Sequence, residues 1–279
     1  MRIDLLESLT ERYQNWSETG KRLLETGEYH EALAYYDRAI TAQPQDRQAW
    51  YERGMVLEAL GLAAEAIASY EKAAQIDPQS YWAWYAWGYV ALMELDDSEQ
   101  ALRCFDQALA LRPDDYWSAY RRGEALRCLR HYGAAIASYE ALLETRSQDY
   151  WLWYRRGDAL RDWGKLKEAL SSYSHAIALK PHDFWAWYQK ANLLQRLGRW
   201  QAAINSYERA LDADDEDGRV WYEYACCCAL CGDSDQAILG LQQALSLQWE
   251  GDREMILSDR RLARLQDNPK FQLTMTNDQ

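Results

Sequence analysis

The sequence of 279 residues contains 44 acidic and 31 basic side chains, which gives a formal net charge of −13, and 48% of its residues are hydrophobic. Nucleic acids and anionic membrane surfaces bind proteins that carry a basic footprint, so this charge argues against both and favours a neutral or basic protein partner. No stretch approaches the roughly eighteen apolar residues of a membrane helix, and acidic residues interrupt the N-terminus where a secretory signal is apolar. We therefore expect a cytoplasmic protein with no membrane insertion.

From about residue 13 onward one pattern returns every 34 residues, with a single step of 35 whose extra residue falls near Asp96 and Asp97. A small residue marks each copy, at Gly20, Gly54, Gly88, Gly123, Gly157, Ala191 and Ala225. When this residue is counted as position 8, an alanine stands at position 20 of all seven copies and an aromatic residue at position 24 of six. A period in this range predicts stacked repeats. Their boundaries are predicted at residues 13–46, 47–80, 81–115, 116–149, 150–183, 184–217 and 218–251.

Each repeat contains two apolar patterns of helical spacing. In the fifth repeat they run from Tyr150 to about Trp163 and from Leu166 to Leu179, with Gly164 between them as a helix stop. We therefore predict two antiparallel helices per repeat. Small residues at positions 8, 20 and 27 allow the helices to approach closely, and large residues at positions 4, 11 and 24 fill the space between them.

Tryptophan occupies position 4 in six copies, and proline closes four of them, at Pro44, Pro78, Pro113 and Pro181. Together with the small residue, the alanines and the aromatic at position 24, this pattern resembles the tetratricopeptide repeat. The Trp-Tyr-x-Arg-Gly form of the first helices is similar to that of bacterial members. The resemblance covers roughly residues 13–251 and implies an all-α fold, a right-handed α-solenoid (superhelix) of about seven helix-turn-helix units.

Both ends of the chain are predicted to differ from the repeats. Residues 1–12 form a helical lead-in. Residues 252–279 contain a capping helix, because a terminal repeat needs a polar-backed cover, and its apolar residues are Ile256, Leu257, Leu262 and Leu265. A tail is expected to begin at Asn268 and Pro269, with Phe271 as its only large hydrophobic residue, and to be mobile at its end.

A second stripe of residues runs along each first helix at positions 2, 5, 9 and 12, while positions 4, 8 and 11 point into the stack. By the resemblance, this stripe lines a concave groove. Its candidate ligand-binding residues are Trp82, Tyr85, Tyr89, Trp117, Tyr120, Glu124, Arg127, Trp151, Tyr154, Asp158, Arg161, Trp185, Tyr188 and Asn192. So many rings would form a large exposed apolar patch unless a ligand covers them. Two alternatives remain: the rings pack on neighbouring repeats, and the pairs Glu124 with Arg127 and Asp158 with Arg161 are only solvated ion pairs.

Two other stretches suggest metal or thiol chemistry. The acidic segment Asp212–Glu223 resembles a calcium loop, but its Gly218 stands at the seventh place instead of the sixth, which favours a solvated acidic turn. The segment Cys226–Cys231 contains a CxxC motif without a second cysteine pair or a nearby histidine. Cys228 and Cys231 are predicted to fill core positions, and Cys226 is predicted to be the thiol most open to reagents.

The four histidines occupy unrelated repeat positions and no glycine-rich phosphate loop is present, so the sequence predicts no enzyme, no cofactor and no metal site. It predicts a non-enzymatic scaffold, adaptor or assembly factor that binds a protein segment in the aromatic groove. The carboxylate clamp of the family is not expected, because position 5 is Ser17 or tyrosine throughout. One alternative is a small-molecule or lipid carrier that uses the same groove. Another is a prenyltransferase-like enzyme subunit, since first helices such as Tyr150–Arg156 resemble repeats of the protein prenyltransferase alpha subunit.

Overall fold

The computed structural model describes residues 16–247 and 253–276. The predicted lead-in at residues 1–12 and the end of the seventh repeat at residues 248–251 lie outside this range. Helices and turns account for the described residues, and no strand occurs among them. The helices are α1 (16–26), α2 (Tyr29–Ala42), α3 (Arg47–Ala59), α4 (Ala63–Ile76), α5 (Tyr81–Met93), α6 (Ser98–Leu111), α7 (Tyr116–Cys128), α8 (Tyr132–Thr145), α9 (Tyr150–Asp162), α10 (Leu166–Leu179), α11 (Phe184–Arg196), α12 (Trp200–Leu211), α13 (Gly218–Cys231), α14 (Ser234–Ser246), α15 (Arg253–Ser258), the 3-10 helix (Arg260–Leu265) and α16 (Pro269–Thr276).

The described residues divide into two compact parts between Ser138 and Tyr139, here called the N-terminal and C-terminal parts. In the N-terminal part, each helix from α2 to α6 packs on the one that follows it, and the same holds from α9 to α13 in the C-terminal part. The prediction of an all-α solenoid built from tandem helical hairpins is therefore confirmed. In the fifth repeat, α10 covers the predicted residues and α9 ends one residue before Trp163.

The small residue at position 8 lets the aromatic ring at position 24 lie directly against the first helix. A Cβ atom added to Gly54 would stand 2.5 Å from the ring of Tyr70, and one added to Gly157 would stand 2.8 Å from the ring of Tyr173. Both tyrosines are fully buried. The predicted pairing of a small residue with a large one thus sets the distance between the two helices of a hairpin.

The turns follow from their capping residues. The Asp217 carboxylate accepts hydrogen bonds from the backbone N–H groups of Arg219 (2.9 Å) and Val220 (3.3 Å), so the acidic segment before α13 forms a capped turn, as predicted. Gly164 ends α9 and its turn with φ 83°, a left-handed conformation that favours glycine. The extra residue of the third repeat lies in the corresponding turn, where Asp96 has φ 54°.

An arginine at position 7 fastens neighbouring hairpins, and we call this arrangement the arginine staple. In the second repeat, Arg53 Nε donates to Asp37 of the preceding hairpin (2.7 Å) and its Nη1 donates to Ser69 of its own second helix (2.7 Å). The staple recurs at Arg122 with Asp106 and Ser138, and at Arg156 with Glu140 and Ser172. The sixth repeat has Lys190 at position 7, and the preceding repeat has Ser174 where the three staples have Asp37, Asp106 or Glu140.

The C-terminal segment corrects two predictions. Ile256, Leu262 and Leu265 are buried as a cap should be, whereas Leu257 is exposed. The segment predicted as a tail contains a packed helix within the described residues, because Pro269–Thr276 forms α16, which packs on α14 and buries Phe271 and Met275. The physical reason lies in the start of this helix. Proline suits a first helical position, where its missing N–H is not needed, and the side chain of Asn268 caps the N–H of Lys270 (2.9 Å).

A cluster around Asp259 holds the cap on the last repeat. The Tyr222 hydroxyl and Arg261 Nη2 (2.7 Å) both donate to Asp259 Oδ2, and Arg261 Nη1 donates to Glu223 Oε2 (2.6 Å). Burial alone would raise the pKa of Asp259, but the hydrogen bonds from Arg261 and Tyr222 outweigh it and lower the pKa to about 2. The cap is therefore fastened by an ionised carboxylate.

Asp259→Asn should loosen the cap by about 2 kcal/mol at neutral pH. A carboxyl whose folded pKa lies below its unfolded value of about 3.9 stabilises the fold above that value, and the stabilisation is lost as pH falls through the folded pKa. The difference between wild type and variant should therefore shrink below about pH 4 and vanish near about pH 2. Hydrogen exchange of the amides at residues 260–265, measured over this range, checks the expectation. A difference that does not change with pH would show that Asp259 acts through packing alone.

Candidate functional site

Four tryptophans at position 2 of the third to sixth repeats are exposed, each being the second residue of its helix. The exposed fraction of the side chain is 55% for Trp82, 55% for Trp117, 48% for Trp151 and 56% for Trp185. Position 2 points away from the face on which positions 4 and 8 pack, so these rings remain at the surface. The alternative that the position-2 rings are packed away between repeats does not hold for these four.

Each exposed indole belongs to a three-ring cluster with the residues at positions 1 and 5. Trp151 meets Tyr150 at 5.0 Å and Tyr154 at 6.1 Å between ring centroids, both edge-to-face. Trp185 meets Phe184 at 5.0 Å and Tyr188 at 6.3 Å in the same geometry. The N-terminal part contains two equivalent clusters, Tyr81 with Trp82 and Tyr85, and Tyr116 with Trp117 and Tyr120. Edge-to-face contact is the favoured geometry of aromatic pairs, so the exposed indoles are held in defined orientations.

The remaining predicted residues of the stripe lie at different depths. Tyr120, Glu124, Tyr154 and Asp158 are buried, with at most 8% of the residue exposed. The half-buried members are Tyr85, Tyr89, Arg127, Arg161, Tyr188 and Asn192. The tryptophans thus form the outer layer of the stripe, and the carboxylates form its floor.

Asp158 is the centre of a buried polar network in the C-terminal part. Its Oδ1 accepts from the Tyr173 hydroxyl (2.7 Å) and lies 3.0 Å from Arg161 Nη1, and its Oδ2 accepts from Arg155 Nη1 (3.2 Å). With 4% of the residue exposed, Asp158 is not part of a solvated surface pair, so that alternative is wrong for it. Burial, and then the nearby Asp158 charge, raise the pKa of Tyr154 to about 12. This phenol therefore stays a neutral hydrogen-bond donor.

Sequence reasoning missed a set of polar residues beside the stripe. Arg155, at position 6, donates to the buried carboxylate, and Gln189, at the same position of the next repeat, accepts from Arg161 Nη1 (2.9 Å). A pocket of about 570 Å³ opens beside α11 and α13, and its lining includes Tyr188, Asn192, Arg196, Arg219 and Arg261. The sequence feature that could have indicated these polar residues is the arginine that follows the position-5 tyrosine in the fourth and fifth repeats.

The tryptophans at position 4 are only half-buried, which corrects the prediction that they fill the interior of the stack. In five repeats the indole Nε1 donates to the backbone carbonyl six residues earlier, for example from Trp153 to Ser147 (2.8 Å). Trp153 also stacks on His175 with 4.3 Å between ring centroids. An indole whose N–H must reach a carbonyl of the preceding turn lies at the edge of the core.

The cysteines correct a further prediction. Cys226 is fully buried, and burial raises the pKa of its thiol far above the ordinary value, so it is not the most reactive thiol. Cys228 is buried as predicted, whereas Cys231 is exposed, as is Cys128. Among residues 16–247 and 253–276, no group of three His, Cys, Asp or Glu side chains is placed to hold a metal ion. In that same range, no helix is long and apolar enough to cross a bilayer.

Comparison with known proteins finds the same kind of repeat in successive parts of the chain. A family model described as tetratricopeptide repeat matches residues 18–81, 90–130 and 188–251, and a second model, described as TPR repeat, matches residues 157–198. The structure is similar to that of a tetratricopeptide repeat protein from Parabacteroides merdae, with 18% identity and a TM-score of 0.66 over 95% of this chain and 99% of that one. A search of curated proteins found no match.

Two further solved structures share the fold. One is the C-terminal part of a TPR repeat-containing protein from Cytophaga hutchinsonii, with 14% identity and a TM-score of 0.73 over 87% of this chain and 99% of that one. The other is YrrB, described as a TPR protein with an unusual peptide-binding site, with 22% identity and a TM-score of 0.55 over 64% of this chain and 92% of that one. At these identities the likeness concerns the arrangement of helices.

Proposed function

Because this chain belongs to the tetratricopeptide repeat family, we propose that it is a non-enzymatic interaction scaffold, an adaptor or assembly factor that binds a protein segment on its first-helix stripe. The observation that carries the proposal is the repeated exposure of Trp82, Trp117, Trp151 and Trp185. A fully buried aromatic side chain removes ~150–250 Å² from water, so covering each of these half-exposed rings would remove about half of that area. Tryptophan is enriched among the residues that contribute most of the binding energy of interfaces, so its recurrence at one exposed position of successive repeats supports an interaction surface.

Three further observations support the proposal. The YrrB structure shows that a protein with this fold can carry a peptide-binding site. The formal net charge of −13 favours a neutral or basic partner, because the field of the whole chain repels an acidic one. All six cysteines are free, which suits a reducing compartment such as the cytoplasm.

The double substitution Trp151→Ala with Trp185→Ala should weaken partner binding roughly tenfold or more, because aromatic anchors carry most of the energy of an interface. It should cost less than about 1 kcal/mol of folding free energy, because both rings are about half exposed. The partner is first isolated by capture from the source cell, and its affinity for wild type and variant is then measured by calorimetry.

Two single variants serve as controls. Trp163 is 46% exposed but lies at position 14, outside the stripe, so Trp163→Ala should leave binding unchanged. Trp153→Ala should cost about 2–4 kcal/mol, since it removes a half-buried ring and its hydrogen bond. Equal binding by wild type and the double variant would remove the support for the stripe. A small molecule retained by the purified protein in native mass spectrometry would favour the carrier function instead.

A further inference from the structure

We propose that the segment bound by the C-terminal part is rich in proline and adopts the polyproline II conformation. This inference rests on the proposed function and adds the chemistry of the guest. It follows from the balance of hydrogen-bond donors and acceptors on the stripe around Trp151 and Trp185.

The exposed polar groups of this surface are mainly donors. Within residues 16–247 and 253–276, the indole N–H groups of Trp151 and Trp185 form no hydrogen bond, although both side chains are about half exposed. Arg196 and Arg219, which line the adjoining pocket, form no ion pair in the same range. Indole and guanidinium groups can donate hydrogen bonds but cannot accept them. A guest on this surface must therefore bring acceptors.

Most side-chain acceptors of the same surface already have donors within the protein. Both oxygens of Asp158 accept from groups within the protein, and Asp162 accepts from Arg161 Nε (3.0 Å). Glu223 Oε2 accepts from Gln195 Nε2 (2.6 Å) as well as from Arg261. The side-chain oxygens of Asn192 (2.7 Å) and Gln195 (2.5 Å) share the one proton of the Tyr207 hydroxyl. A guest with many N–H donors would leave those donors unpaired when water is displaced, which is costly.

Proline-rich polyproline II segments match this balance better than other peptides. A helical guest uses its carbonyls internally, and an extended guest presents N–H groups that need a strand edge, which the described residues do not contain. A polyproline II segment has no internal hydrogen bonds, and each proline lacks the N–H, so a proline-rich backbone offers a carbonyl at every residue and few N–H donors. An acidic segment is also rich in acceptors, but the net charge of −13 disfavours it.

The rings of the stripe suit the same guest. The edge-to-face contacts of Trp151 with Tyr154 and of Trp185 with Tyr188 fix the indoles before any ligand arrives. Rigid aromatic ridges bind polyproline II segments at a low entropic cost, because both surfaces are ordered in advance.

The test compares four synthetic peptides of about twelve residues, which span about 37 Å in polyproline II. One alternates two prolines with one alanine, the second replaces each proline with glycine, the third is an amphipathic helix and the fourth is rich in aspartate. Binding to the full chain is followed by tryptophan fluorescence and calorimetry. We expect the proline peptide to bind at least about tenfold more tightly than each of the others.

A further pair of variants distinguishes the contribution of the indole N–H groups to binding from that of the aromatic rings. Trp151→Phe with Trp185→Phe keeps an aromatic surface but removes both N–H groups, and should weaken the proline peptide about tenfold, since two hydrogen bonds are lost. Trp163→Phe is the matched control and should change nothing. Equal binding of the glycine peptide, tighter binding of the helical or acidic peptide, or an unchanged phenylalanine variant would each overturn the inference. The proposed function fails separately, if the alanine double variant still captures the cellular partner with full affinity.

Discussion

Replacing Gly54 with valine is expected to destabilise the protein by about 2–3 kcal/mol, the usual cost of overpacking a filled core. The new Cβ atom would lie 2.5 Å from the Tyr70 ring, which is fully buried and whose hydroxyl donates to Glu58 Oε2 (2.8 Å). The ring is therefore confined at both ends, and the two helices must separate to admit the added atoms. Urea unfolding followed by circular dichroism measures the loss.

The sixth repeat provides the matched control. It has Ala191 at the same position, over the fully buried Tyr207 ring, so a methyl group is already accommodated there. Ala191→Gly should cost only about 1 kcal/mol, through the lower helix propensity of glycine and a small loss of packing. A Gly54→Val variant as stable as wild type would show that the spacing of the hairpin is not set by this contact.

The second large effect is expected at Asp158. Asp158→Ala removes the acceptor of the Tyr173 hydroxyl and the anion between Arg155 and Arg161, which leaves buried donors unpaired. Loss of one partner of a buried ionic network costs about 3–5 kcal/mol, and we expect about 2–4 kcal/mol here because both arginines retain access to water. The change in unfolding free energy, together with hydrogen exchange in α9 and α10, reports the effect.

Asp158→Asn is the conservative comparison. The sixth repeat has Asn192 at this position, and the Tyr207 hydroxyl donates to its side-chain oxygen (2.7 Å). An asparagine at position 158 can therefore keep the acceptor for Tyr173 while losing the charge, and should cost about 1 kcal/mol. If the alanine and asparagine variants lose equal stability, the ion pairs dominate the network and the tyrosine hydrogen bond contributes little.

The hairpins could be predicted from sequence because their signals are local and repeated. The small residue at position 8 and the ring at position 24 recur in nearly every copy, so the sequence pattern predicts the contact between Gly54 and Tyr70. The four exposed tryptophans follow from the same helical geometry.

The burial of individual stripe residues and the structure of the C-terminal segment could not be predicted in this way. Helical periodicity assigns Tyr154 and Asp158 to the same face as Trp151, but burial depends on which neighbouring helix covers that face. Cys226 lies on the stripe in sequence, yet the cap of the last repeat covers it, since Asp259 lies 3.9 Å from its sulfur. The helix at Pro269–Thr276 has no second copy with which to compare it. Its signals were the capping Asn268 and a proline at the first position.

The uneven distribution of the arginine staple determines how the array responds to mechanical load. The second, fourth and fifth repeats are tied to the hairpin before them through Arg53, Arg122 and Arg156. The third, sixth and seventh repeats have Trp87, Lys190 and Tyr224 at that position. A guanidinium that bonds a carboxylate and a hydroxyl at once resists sliding of one helix past another, which a lysine or a tyrosine in its place does less well. Under tension along the chain, the last two repeats, which are adjacent and both lack the staple, would therefore separate before the repeats that the staple holds.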